Sequence, residues 1–384
     1  MLPTDRKTMA GIYIHIPFCK TRCIYCNFYS TTRGEYVDRY VRALCSEMQM
    51  RCGEDGSNDV KTIYIGGGTP SQLSDHNLEL MFITLDRLFG ISQCEEITIE
   101  ANPDDLTDEY VSMLRTLPVD RISMGVQTFN DRKLHFLNRR HDAAEAIAAV
   151  ERCRKAGFDN ISIDLIYGLP GETTVEWQND LRTAIALGVE HLSAYSLTYE
   201  EGTPIYNMVS RHDIEPVDEE VSLAFFGMLR DELIDAGYEH YEISNFCKPG
   251  HQAVHNSSYW HGVPYLGLGA AAHSYNGSTR REWNVASLTK YVEGIEAGKR
   301  DYDFEELDEQ TQYNEFVMTG LRTSQGISLN ELSARFGTEL YDYCLDMSKQ
   351  YLSSGKMRIE GDRLHLTPAG IFISDAIVSN LMSV

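Results

Sequence analysis

Between Gly11 and about Ser196, short β-rich apolar runs alternate with longer stretches in which apolar positions recur at helical spacing. The runs are GIYIHI, KTIYIGG, EEITIEA, RISMGV, NISIDLIYG and HLSAYSL. The amphipathic stretches cover roughly 36–51, 76–89, 108–116, 143–156 and 175–187. Pro-Ser, Asn-Pro-Asp, Gly-Phe-Asp and Pro-Gly-Glu punctuate them. Six strands alternating with helices predict a parallel sheet with crossover helices. Six units fall short of the eight of a closed barrel, so the predicted fold class is α/β, an open, partial parallel β/α barrel.

The texture then changes. Residues 201–300 are less regular and rich in Gly, Tyr and His. From about Asp301, TQYNEFVMTGLRTS, SLNELSARFG and ELYDYCLDMSKQYLSSG read as helices, and KMRIEGDRLHLTP reads as a hairpin turning at Glu360-Gly361-Asp362. A last helix is expected over about 369–382. Helices plus a hairpin are similar to a winged-helix module. Arg and Lys do not concentrate there, so packing or docking is expected and not DNA binding. The expected organisation is a barrel over 1–200, an extension and linking region over 201–300, and a mainly helical, winged-helix-like domain over 301–384.

Composition narrows the classes. The chain has 384 residues, 42% of them hydrophobic, enough for one large domain and small additions. Its formal net charge of −23 disfavours nucleic acid and anionic membrane surfaces as partners. No apolar run reaches the roughly 18 residues of a spanning helix. MLPTDRKTMAGIYIH has neither a long apolar core nor a small-residue cleavage site, so a cytoplasmic protein without membrane insertion is expected. Nine cysteines, an odd number, fit thiols or metal ligands better than disulfides. Six of them, Cys45, Cys52, Cys94, Cys153, Cys247 and Cys344, are scattered, and most read as buried free thiols.

In parallel sheets chemistry gathers at the strand C-terminal ends. Cys19, Gly66-Gly67-Gly68-Thr69-Pro70, Glu100, Gln127 and Gly168-Leu169-Pro170-Gly171 all fall there. Cys19, Cys23 and Cys26 form a C-x3-C-x2-C set in HIPFCKTRCIYCNFYS. Zinc sites usually pair two C-x2-C units, and no second unit is present. A 4Fe–4S cluster held by three thiolates leaves one iron for an external ligand.

This motif resembles that of radical S-adenosylmethionine (SAM) enzymes. The resemblance implies that SAM chelates the open iron and is cleaved by the reduced cluster to a 5′-deoxyadenosyl radical. It implies metal ligation by Cys19, Cys23 and Cys26. It puts Gly68 and Thr69 at the SAM amino end and Arg139 at the carboxylate. Glu100, Gln127 and Asp164 would serve the amino, ribose and adenosine groups, and Tyr13 and Tyr25 would flank the cluster and the adenosyl end. Taken singly, these would be a surface arginine, a capping acid, a structural acid and core aromatics.

YIHIPFCKTRCIYCNF, IYIGGGTPS, ISMGVQTFND and IDLIYGLPGET together resemble the oxygen-independent coproporphyrinogen III oxidase group, over essentially the whole chain. The oxidases of that group carry a further cysteine two residues after the third, and a longer arm before the loop. Here that position is Phe28, and 18 residues precede Cys19. Both departures are similar to the group's heme-chaperone branch. So is HNSSYW, from His255 to Trp260, whose histidine the resemblance implicates in holding heme. A neutral imidazole is a good axial ligand, and flat aromatics suit a porphyrin face. His251, His261 and His273 are competitors, and a hydrogen-bonded loop histidine is the plainer alternative. The reading implied is a heme chaperone carrying a SAM-liganded cluster and passing heme to apo-hemoproteins of respiration. A homodimer is left open. The alternatives are the oxidative decarboxylase of coproporphyrinogen III and a radical enzyme with another substrate.

Overall fold

Each of the six apolar runs forms a strand, and each strand has two different faces. These are β1 (Gly11–Ile16), β2 (Thr62–Gly67), β3 (Glu96–Ala101), β4 (Arg121–Gln127), β5 (Asn160–Tyr167) and β6 (His191–Ser196). In this computed structural model, residues 11–53 and 60–383 are described. The N-terminal stretch read above for an export signal lies, through Ala10, outside them.

One face is aliphatic. Ile12, Ile14, Ile63, Ile65, Ile99, Ile122, Ile161 and Ile163 are completely buried there, each burial contributing about 1.5–3 kcal/mol. Successive side chains point to opposite faces, so the intervening positions form the other face. That face is polar in every strand. Tyr13 pairs with Tyr64, Thr62 with Glu96, Glu100 with Ser123, Gly125 with Asp164, and Ser162 with His191. Fully buried Arg121, paired in register with Thr98 and Asn160, lies on it too.

Helices α1 (Val37–Arg51), α2 (Asp75–Phe89), α3 (Asp108–Leu114), α4 (Asp131–Phe136), α5 (Ala143–Lys155) and α6 (Thr174–Leu187) connect the strands. Their starts are set by sequence. Asp142 and Thr173 make reciprocal capping boxes with Glu145 and Glu176. Gly90 and Gly188 end α2 and α6 in the left-handed conformation.

Residues 201–300 are more regular than their composition suggests. They form α7 (Pro204–Ser210), α8 (Glu219–Asp235), α9 (Val254–Trp260) and α10 (Leu288–Glu296). Their strands are β7 (Glu239–Glu242), β8 (Asn245–Cys247), β9 (Tyr265–Leu268), β10 (His273–Tyr275) and β11 (Arg280–Asn284). With β12 (Tyr302–Glu306) they extend both edges of the sheet. Its order is β12-β11-β10-β9-β1-β2-β3-β4-β5-β6-β8-β7, open and twelve-stranded. β9 adds a seventh parallel strand beside β1, while β8 pairs antiparallel with β6. The segment read as an extension and linking region thus contributes strands to the sheet itself.

The C-terminal body has its own core, including Tyr313, Val317, Leu332, Phe336, Leu364 and Ile377. It consists of α11 (Glu309–Arg322), β13 (Ile327–Ser328), α12 (Leu329–Ser353), the hairpin β14 (Met357–Glu360) and β15 (Arg363–Leu366), then α13 (Pro368–Ile371) and α14 (Ser374–Leu381). α12 is broken at Gly337, which has φ 74° and separates the two helices read from the sequence. The expected last helix is also two short ones. No helix among the described residues is long and apolar enough to cross a membrane.

Candidate functional site

The cysteine loop leaves β1 and is fastened from both sides. Cys19 N–H donates to Thr31 O at 2.9 Å, and Thr31 N–H returns to Pro17 O at 2.7 Å. From the turn after α4, Asn138 Nδ2 donates to Arg22 O at 2.8 Å. Lys20 Nζ and Arg140 converge on Asp105, at 3.0 and 3.1 Å. This fixes a short loop that has no helix or strand of its own.

The three thiols share one partly exposed mouth, and all nine cysteines are free. Burial pushes the Cys19 and Cys26 thiols up from the ordinary value. At Cys19 a hydrogen bond from Thr69 opposes this. Thr69 Oγ1 donates to Cys19 Sγ at 3.4 Å, and Arg139 Nη1 donates to Cys23 Sγ at 3.4 Å. No three His, Cys, Asp or Glu side chains among the described residues converge on a single-ion site.

The glycine loop after β2 packs tightly under the mouth. A Cβ on Gly68 would stand 2.8 Å from Ile16 O, and one on Gly67, at φ 111°, would stand 2.6 Å from the His15 ring. His15 is itself locked. Its Nε2 donates to Tyr29 O at 2.9 Å, so its Nδ1 accepts from Tyr13 OH at 2.9 Å.

Glu100, at the end of β3, accepts from Tyr64 OH at 2.8 Å and from Gly67 N–H at 3.0 Å. Burial, followed by the charge of Asp164, raises its pKa to about 7 despite those bonds. Burial likewise raises Asp164 to about 6, with Ser193, Arg121 and Arg139 opposing. Arg139 binds Asn102 Oδ1 at 2.7 Å and Gly125 O at 2.5 Å, and its Nε is buried without a partner. Gln127 sits at a register shift between β4 and β5 with φ 72°, in the left-handed region that few non-glycine residues adopt. Tyr25 is half-buried next to Cys23 and Arg139. Gly68, Thr69, Glu100 and Gln127 lie at the strand ends, with Tyr25 and Arg139 beside Cys23, whereas Tyr13 and Asp164 lie within β1 and β5 on the polar face.

Tyr64, His15, Asn102 and Arg121 were not singled out from the sequence, although each organises the site. Period-two alternation in IYIGG and RISMGV carried the signal for Tyr64 and Arg121. Asn102 and His15 act through contacts that spacing does not reveal.

His255 is at the other end. Its neighbours are the first residues of the strands. A Cβ on Gly11 would meet its ring at 2.9 Å, Thr62 Oγ1 lies 2.8 Å from its Nδ1, and Glu96 accepts from the Val254 and His255 N–H groups at 2.9 Å each. Its Nε2 lies 2.8 Å from Tyr259 OH. The side chain is 1% exposed, and burial lowers its pKa to about 3. Both ring nitrogens thus have partners within the fold.

Comparison with known proteins adds the family. Residues 13–184 match the Radical SAM superfamily and residues 307–373 the HemN C-terminal domain. The heme chaperone HemW of Bacillus subtilis (strain 168) is 35% identical over 96% of this chain and 98% of its own length. The chain belongs to the HemW family. The heme chaperone HemW of Lactococcus lactis subsp. lactis (strain IL1403) is 34% identical over 96% of both chains. The solved coproporphyrinogen III oxidase (HemN) from Escherichia coli matches with a TM-score of 0.84 at 21% identity, covering 98% of this chain and 91% of that one. This likeness shows the fold: an α/β radical SAM sheet with a helical C-terminal domain. The radical SAM assignment also implies a 4Fe–4S cluster and SAM.

Proposed function

We propose that this member of the HemW family is a heme chaperone that binds heme and a SAM-liganded 4Fe–4S cluster in the cytoplasm and transfers heme to apo-hemoproteins, including respiratory enzymes. The observation that carries this reading is near-full-length identity to HemW heme chaperones. Phe28 supports it. The position that bears a fourth cysteine in the oxidases resembled above is here an apolar side chain, 64% exposed.

The residues fit the cluster and SAM. Cys19, Cys23 and Cys26 hold irons, with Thr69 and Arg139 stabilising two of the sulfurs as thiolates. Gly68 brings bare backbone to the SAM amino end. Arg139 neutralises the carboxylate and gains a partner for its orphaned Nε. Glu100 and Asp164 offer negative charge to a cationic ligand, Gln127 reaches the ribose and adenine side, and Tyr13 and Tyr25 wall it. When bound and reduced, the cluster supplies the electron that cleaves SAM.

The test is transfer. Heme-loaded protein mixed with an apo-hemoprotein should lose its heme to the acceptor, and anaerobic incubation with coproporphyrinogen III, SAM and a reductant should leave the porphyrinogen intact. Porphyrinogen decarboxylation without heme transfer would replace this reading with the oxidase.

A further inference from the structure

The turn after β3 gathers three loops onto one carboxylate. Pro103–Asp105 form a single 3-10 turn directly behind Asn102. The Asp105 side chain is 3% exposed. Lys20, the residue after Cys19, donates to its Oδ1 at 3.0 Å. Ser71 Oγ donates to Oδ2 at 2.8 Å, and Gln72 Nε2 donates to the same oxygen. Both belong to the turn that follows Thr69. Arg140 Nη2 reaches both oxygens, at 3.1 and 3.2 Å. An ionised carboxylate only accepts, with about four lone-pair sites. Donors from the loops after β1, after β2 and after α4 occupy them.

The same turn reaches Arg139. Asn102 N–H donates to Ser71 Oγ at 3.2 Å, and Asn102 Oδ1 accepts from Arg139 Nη2 at 2.7 Å. Two neighbouring arginines are thereby put to different uses. Arg140 pairs with Asp104 at 2.5 Å and with Asp105 at 3.1 Å. Arg139 contacts an amide oxygen, a carbonyl and a thiol, and no carboxylate lies within ion-pair distance of it among the described residues. Its charge stays available to a bound carboxylate because Arg140 answers the acids of the turn.

Other links between these loops end on sulfur, from Thr69 to Cys19 and from Arg139 to Cys23. Those bonds would be shared with iron. The contacts of Asp105 involve no thiol and no group assigned to SAM. They order the rim before a ligand arrives, so that less of the ordering cost falls on binding.

We infer that Asp105 is a positioning residue for SAM binding. It touches no ligand. It ties the cluster loop, the glycine loop and the loop carrying Arg139 into one rim, so that the cysteines, the Gly68 backbone and the Arg139 guanidinium keep a fixed spacing. This rests on the cluster and SAM reading above and names the residue that sets its geometry.

The test compares full-length wild type, Asp105→Asn, Asp105→Glu, Lys20→Met and Glu190→Gln after anaerobic reconstitution. Three quantities are read: iron content, SAM affinity per loaded cluster by isothermal titration, and the electron paramagnetic resonance of the reduced cluster with and without SAM. Asp105→Asn replaces one acceptor oxygen by a donor. It should retain iron, because the three thiols are untouched. It should weaken SAM roughly 10- to 100-fold, the scale of a lost outer-shell partner at a metal site. The resonance change caused by SAM should need correspondingly more SAM. Asp105→Glu keeps the charge and should recover part of the affinity. Lys20, 57% exposed, can be cut without disturbing the core, so Lys20→Met decides the matter if Asp105→Asn does not fold. It should weaken SAM about two- to fivefold, the scale of a half-exposed ion pair. Glu190 is a buried carboxylate at the strand starts, bound to Arg154 at 2.9 Å and to Ile161 N–H at 3.1 Å. Glu190→Gln should lower stability but leave SAM affinity unchanged. Wild-type affinity per loaded cluster in folded Asp105→Asn, or in Lys20→Met where Asp105→Asn is unfolded, would overturn the inference and leave the cluster reading standing. An equal loss in Glu190→Gln would do the same. A wild type that retains no iron or binds no SAM would instead remove both.

Discussion

The imidazole of His255 stacks on the ring of Tyr64, with centroids 5.4 Å apart and planes at 27°. Tyr64 in turn donates to Glu100. The HNSSYW helix at the strand starts is thereby joined through two contacts to the carboxylate at the strand ends. His255→Ala should destabilise the protein by about 2–4 kcal/mol, because it opens a cavity and strips partners from Thr62 and Tyr259. A chemical denaturation midpoint measures this. An unchanged midpoint would show that the ring is not the strut described here.

If Glu100 and Asp164 face SAM as proposed, its binding should depend on pH. A cation is favoured by ionised carboxylates, and burial raises these two to about 7 and about 6. Affinity for SAM should therefore rise with pH through the 6–7 window and then level off. Isothermal titration of the cluster-loaded protein across that range checks it, and a flat profile would contradict it.

Stability of the ligand-free chain should run the other way. A carboxyl raised on folding binds its proton more tightly in the native state, so native stability falls as pH rises from about 4.5 to about 7. Glu100→Gln removes that penalty and keeps one acceptor oxygen, enough for either Tyr64 OH or Gly67 N–H. At pH 8 it should stabilise the ligand-free protein by roughly 1–3 kcal/mol while weakening SAM binding. Thermal melts at pH 5 and pH 8 separate the two, since the gain should vanish at the lower pH.

Arg139 holds Asn102, Gly125 and Cys23 with one guanidinium. Arg139→Leu should leave two acceptors unpaired, at a cost of about 1–3 kcal/mol, and lower iron retention. Arg139→Lys keeps the charge but not the planar fork, and should restore only part of either. Iron and sulfide analysis after anaerobic reconstitution distinguishes the variants. Equal iron content in all three would mean that Arg139 is not part of the cluster's support.

Gly68 tests the glycine loop. A methyl there meets main chain, which cannot move aside as a flexible side chain would. Gly68→Ala should shift the loop after β1 and reduce cluster loading, whereas Gly227→Ala, in open space within α8, should leave loading unchanged. Similar losses from both would point to general destabilisation.

The sheet was legible because its alternation is local: GIYIHI and EITIEA declare their strands within six residues. The cluster loop was legible because three thiols in eight residues have few uses. The edges of the sheet were not. β9 pairs with β1 across more than 240 residues, and nothing near Tyr265 announces it. The fate of His255 was hidden for the same reason, since Thr62 and Glu96 meet it only in the fold. Sequence could name its motif but not show that both nitrogens were already engaged.

The most direct measurement is a hemin titration of the anaerobically reconstituted wild-type protein, followed by absorption. The account predicts a stoichiometric, saturable Soret shift, with the bound heme then released to an apo-hemoprotein. Weak, non-saturating uptake would contradict it and return the chain to coproporphyrinogen III turnover as the activity to measure.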